Sequence, residues 1–114
     1  MKKVIEIGDK KCCFFKDITP EEQTEINSML TRWSTSVPDL KETVMENLNH
    51  DNRGATVGTS KHIVVVLGPQ TSKAELLNTL AHEIRHVVDI ICADSTHIPA
   101  ELTGEIFSHF ADWV

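Results

Sequence analysis

Residues 72–92 read SKAELLNTLAHEIRHVVDIIC. Leu76, Leu80, Ile84, Val87 and Ile91 fall at helical spacing and form one apolar stripe. Ser72 is a good N-cap, and Glu75 three residues later completes a capping-box pattern. The stretch therefore predicts a helix running to about Ile91 or Cys92. Just upstream, His62-Ile-Val-Val-Val-Leu67 is rich in β-branched residues and predicts a strand. Gly68-Pro69 ends it. Downstream, a short turn over Ala93 to Ile98 leads to Pro99, which suits the first position of a helix. That last helix carries Leu102, Ile106, Phe107, Phe110 and Trp113. Two helices joined by so short a turn predict an antiparallel hairpin.

Toward the N-terminus, Val4, Ile5 and Ile7 suggest a short strand. Gly8-Asp-Lys-Lys11 suggests a turn, and Cys12 to Phe15 a second strand of a hairpin. Thr19-Pro-Glu-Glu22 is a strong helix start, because Thr19 can cap, Pro20 fits the first turn and Glu22 can bond back. Ile26, Met29, Leu30 and Trp33 continue that helix. Pro38 opens another, with Leu40, Val44, Met45 and Leu48 on its apolar side. Asn49 to Gly58 is polar and glycine-bearing, and is expected to be a loop. No internal repeat occurs. The order of elements is that of an α+β fold, with residues 1–114 forming a single domain.

Composition narrows the function. The chain has 114 residues, 40% apolar and 25% charged, close to a globular average. Net charge is −6, from 11 basic and 17 acidic residues. Without a dense basic run, a polyanion footprint is missing and nucleic-acid binding is disfavoured. No apolar run approaches the roughly 18 residues a membrane span needs. The first residues lack the apolar stretch of a signal peptide. Three cysteines, two of them adjacent, make a poor disulfide framework. They point to a reducing compartment, with the cytoplasm as the default.

The chemistry lies in His82-Glu-Ile-Arg-His86, an H-E-x-x-H pattern inside the predicted helix. Imidazoles four residues apart lie on one helix face, about 6 Å apart along the axis. They can grip one Zn²⁺ at about 2.0–2.1 Å each. Glu83, beside the first histidine, is placed to accept a proton from water. A catalytic zinc wants a third protein ligand. The candidates are Asp89, His97, Glu101, Glu105 and His109. In an antiparallel hairpin turning near residue 95 or 96, residue 86 lies across from about residue 105. Glu105 therefore ranks first and Glu101 second. His109 shares the Glu105 face one turn on. Asp89 can hydrogen-bond a liganding imidazole, or pair with Arg85 four residues before it. Glu101 can support the metal, or stand solvated near a helix N-terminus. His50, His62 and His97 have no partner at ligand spacing and read as surface residues. Cys12, Cys13 and Cys92 read as small buried apolar groups, and Trp33 and Trp113 as core anchors.

His82 to His86, with Glu105 after eighteen intervening residues, resembles the gluzincins, the thermolysin-type zinc metallopeptidases. More closely, His86-Val-Val-Asp89 followed by Glu105-Ile-Phe-Ser-His-Phe-Ala-Asp-Trp113 resembles short phage-encoded H-E-x-x-H proteins. Those tend to show H-x-V-D and then E-x-F-A-Y-x-x-E-W. The likeness covers residues 76–113, and the chain departs from it at Ser108, His109 and Asp112. It implies a minimal zincin-like domain whose catalytic core spans about 60–114. It implies His82, His86 and Glu105 as zinc ligands and Glu83 as general base, with Asp89 and Glu101 the candidate supporting residues from the residue reading above. Two roles are open to His109: an oxyanion donor, or a fourth ligand that closes the site. The likeness also implies that the 62–67 strand lies at a sheet edge beside the active-site helix, where a peptide can add to it. The expected function is hydrolysis of a peptide or protein substrate, in a bacterial host cytoplasm if the protein is phage-encoded. The alternative is a non-catalytic scaffold, metal-stabilised or metal-free, that binds a host or phage protein.

Overall fold

A computed structural model describes residues 1–33, 54–58, 61–70, 72–93 and 99–113. The helix expected from Pro38, the turn over 94–98, His50, His97 and the Trp33 side chain lie outside the described residues. The described elements are β1 (Lys2–Ile7), β2 (Lys10–Phe15), α1 (Pro20–Trp33), β3 (Gly54–Gly58), β4 (His62–Leu67), α2 (Lys73–Cys92) and α3 (Pro99–Ser108). They make a small α+β domain with a four-stranded sheet in the order β1-β2-β4-β3. β1 and β2 are antiparallel, β2 and β4 parallel, and β3 and β4 antiparallel.

Each boundary has a local cause. The β1–β2 hairpin turns on Gly8 and Asp9 alone, so Lys10 and Lys11 belong to the strand and not to the turn. Gly8 has φ of 60°, the left-handed region that glycine tolerates at the start of a tight hairpin turn. The capping box of α1 forms in both directions: Glu22 N–H donates to Thr19 Oγ1, and Thr19 N–H donates to Glu22 Oε1. At α2, Glu75 N–H donates to Ser72 Oγ at 3.1 Å, as the sequence predicts.

The sheet has helices on both faces, and each face has its own core. Ile5, Ile7, Cys12, Phe14, Ile63, Val65 and Leu67 pack under α2 and α3, against Leu80, Ile84, Val87, Ile91, Leu102 and Ile106. On the opposite face, Cys13, Phe15, Ala55, Val64 and Val66 pack with Ile26 and Leu30 of α1. A strand covered on both faces needs no polar alternation, which is why Ile63 to Leu67 is one continuous apolar run.

Two expectations about the strands are corrected. β4 is not an edge strand, because it lies between β2 and β3. The edge beside it is β3, in the segment expected to be loop. Gly54-Ala-Thr-Val-Gly58 carries two glycines, which locally oppose a strand. Pairing of Gly54 through Gly58 with Leu67 through Ile63 overrides that preference.

The last helix is also shorter than expected, since α3 stops at Ser108. Beyond it the chain tightens into turns, with His109, Phe110 and Trp113 N–H each donating to the carbonyl three residues before. Phe110 and Trp113 still reach the core: Phe110 meets Phe14 edge-on at 4.6 Å and Trp113 at 5.0 Å between ring centroids. Among the described residues, no helix is long and apolar enough to cross a membrane.

Candidate metal centre

α2 places the site. Its apolar stripe lies on the sheet, so Leu80, Ile84, Val87, Val88 and Ile91 are buried. His82, His86 and Asp89 lie on the side of the helix away from that stripe, and all three are exposed. The charged residue of α2 that is buried is Glu83, with 4% of its surface accessible. It follows His82 by about 100° around the helix, which turns it toward the edge of the sheet and β3.

His82 and His86 meet on the outer side. Their Nε2 atoms lie 3.1 Å apart, with ring planes at 80° and centroids 4.7 Å apart. Two nitrogens bound to one zinc at about 2.0–2.1 Å with a near-tetrahedral angle stand about 3.3–3.4 Å apart. The observed separation is within a few tenths of an ångström of that bite. The same contact is a hydrogen bond when one ring carries the Nε2 proton and the other does not. One donor atom from each of His82, Glu83 and His86 completes a group whose members lie within 4.8 Å of one another. Two imidazoles and a carboxylate suit a borderline-soft divalent ion such as Zn²⁺.

Glu83 is held by β3. Thr56 Oγ1 donates to Glu83 Oε2 at 2.5 Å, which satisfies one carboxylate oxygen inside the fold. Gly54, on the same face of the strand, lies hard against the glutamate. A Cβ there would stand 3.0 Å from Glu83 Cγ and 3.2 Å from Cδ and Oε1. Neither contact was foreseen, because 49–58 read as loop. A signal was present: Ala55 and Val57 alternate with Gly54, Thr56 and Gly58 at the two-residue period of a strand.

The remaining candidates stand apart from the three-residue group among the described residues. Asp89 forms an ion pair with Arg85, with Oδ1 3.2 Å from Nε, which is the pairing option of the two the sequence left open. Glu101 is exposed on the first turn of α3. Glu105 is exposed on α3, and its carbonyl accepts from Ser108 Oγ at 2.6 Å. His109 is exposed just past α3, and its carbonyl accepts from Lys3 Nζ at 2.7 Å. Lys3 also bonds Asp112 and holds that carboxyl below the usual carboxylate range. This clamp ties the C-terminal turns to β1. No protein-family model, no curated protein and no solved structure matches this chain.

Proposed function

We propose that the chain is a minimal zincin-like, zinc-dependent metallopeptidase of the gluzincin kind, cleaving peptide bonds in a peptide or protein substrate. The observation that carries this reading is the pair of Nε2 atoms 3.1 Å apart beside a buried carboxylate that is hydrogen-bonded from the neighbouring strand. His82 and His86 would hold the ion through Nε2. Glu105 is the proposed third ligand, on a helix that packs against α2, with Glu101 as the alternative. Bound Zn²⁺ supplies a Lewis acid for the scissile carbonyl and makes water a better nucleophile near neutral pH.

The chain's own groups do the rest. Glu83 accepts the proton of the attacking water at the oxygen Thr56 leaves free, and returns it to the leaving amine nitrogen. His109 is the proposed donor to the developing oxyanion. The reducing cytoplasm is the proposed compartment, supported by three free cysteines of which Cys12 and Cys13 are buried.

A second reading is a non-catalytic scaffold that binds a partner protein. The position of Glu105 outside the group of three favours it. Glu83→Gln separates the two readings. It removes the proton acceptor at nearly constant shape. The metallopeptidase reading predicts full zinc content with hydrolysis of fluorescently labelled denatured casein reduced by about 100-fold or more. No hydrolysis by the zinc-loaded wild-type chain in that assay favours the scaffold.

A further inference from the structure

We infer that β3 is a positioning strand for the reactive carboxylate, with the Thr56 hydroxyl and the absent side chain at Gly54 together fixing Glu83. The inference deepens the metallopeptidase reading and rests on it for the word reactive, but its geometry stands independently. A carboxylate with so little exposure needs a donor, since a buried unpaired charge is costly. Thr56 is that donor, at 2.5 Å from Oε2. Its single hydroxyl proton has a second acceptor in range, the Glu83 carbonyl at 3.5 Å, and the shorter contact to the carboxylate takes it. One oxygen is thereby occupied, and Oε1 is left for proton transfer.

Gly54 sets the other coordinate. Residues 54, 56 and 58 share the strand face toward α2, while Ala55 and Val57 turn into the opposite core. A Cβ at position 54 would press on Glu83 Cγ, Cδ and Oε1 together, and one at position 58 would stand 3.3 Å from Ile90 Cδ1. Helix and edge strand approach this closely because that face is nearly bare. The one side chain longer than a hydrogen on it is Thr56, opposite the carboxylate. A methyl group at position 54 moves the carboxylate, and misplacement of a reacting group by about 1 Å can cost on the order of 100-fold in rate.

The test compares Thr56→Ser, Thr56→Val and Gly54→Ala with the wild-type chain, each loaded with zinc. Zinc content, the thermal midpoint, kcat and KM on labelled denatured casein, and the ¹³C resonance of the Glu83 side-chain carboxyl are measured. Thr56→Val is expected to keep its zinc and its KM, and to lose about 10- to 100-fold in kcat. Its Glu83 carboxyl resonance should shift. Thr56→Ser restores the hydroxyl and should bring the rate to within about threefold of wild type, with the resonance unmoved. Gly54→Ala should shift the resonance and lower kcat with zinc retained. An unmoved Glu83 resonance in Thr56→Val, or a Thr56→Ser variant as impaired as Thr56→Val, overturns the inference. If the wild-type chain hydrolyses nothing, the metallopeptidase reading fails, and the carboxyl resonance alone still decides whether Thr56 and Gly54 hold Glu83.

Discussion

Cys12 shows at the scale of one residue how burial becomes chemistry. It is fully buried beneath α2 and α3, and burial first, then neighbouring Cys13, push its thiol up to about 11 from 9.0. Burial likewise raises the Cys13 thiol. The folded chain keeps protons that the unfolded chain releases, so stability is unaffected below pH 9.0. It falls as pH rises from 9.0 toward 11. At pH 8 the native chain should leave Cys12 and Cys13 unlabelled by a charged thiol reagent over minutes, while denaturant should expose all three cysteines. Labelling of Cys12 as fast as in the unfolded chain would contradict the burial. The sequence reading of Cys12 and Cys13 as small core groups agrees with their position. Glu83 lies beside buried Ile84 and one turn from buried Leu80 and Val87, but the partner that holds its carboxylate was not legible, because helical periodicity says nothing of a strand 27 residues earlier in the chain.

At the scale of elements, α2 is the most legible part of the chain. Its cap, stripe and end follow from local rules, and Ser72 N-caps Lys73–Cys92 as expected. Ser72→Ala should destabilise the fold by about 1 kcal/mol, with Ser72→Thr or Ser72→Asp close to wild type in urea melts. A change below about 0.3 kcal/mol would mean that tertiary packing alone sets the start of this helix. β3 was the least legible element. Its two glycines read as breakers, and what makes it a strand is non-local: five pairings with β4 and the close approach of α2. The error over the sheet edge has the same origin. A buried apolar run announces a strand but not its neighbours, and the order β1-β2-β4-β3 depends on contacts across the whole fold.

On the scale of the whole molecule, a sheet with helices on both faces leaves β3 at one edge, with α2 lying against it. That arrangement lets α2 bury its apolar stripe while presenting two imidazoles to solvent and a carboxylate to the strand. The Lys3 contacts to the His109 carbonyl and Asp112 bind the C-terminal turns to β1, fixing the far end of the same face. The imidazole pair was legible in H-E-x-x-H, since it needs only a helix. Which residue would complete the ligand set depends on how α3 lies across α2, which the spacing of residues along one helix does not fix.

The most direct measurement is the zinc content of the purified chain after zinc loading and exhaustive dialysis, beside His82→Ala, His86→Ala, Glu105→Ala and Glu101→Ala. The account predicts one zinc per wild-type chain, its loss in both histidine variants and in Glu105→Ala, and its retention in Glu101→Ala. A folded wild-type chain that holds no zinc after loading would contradict it.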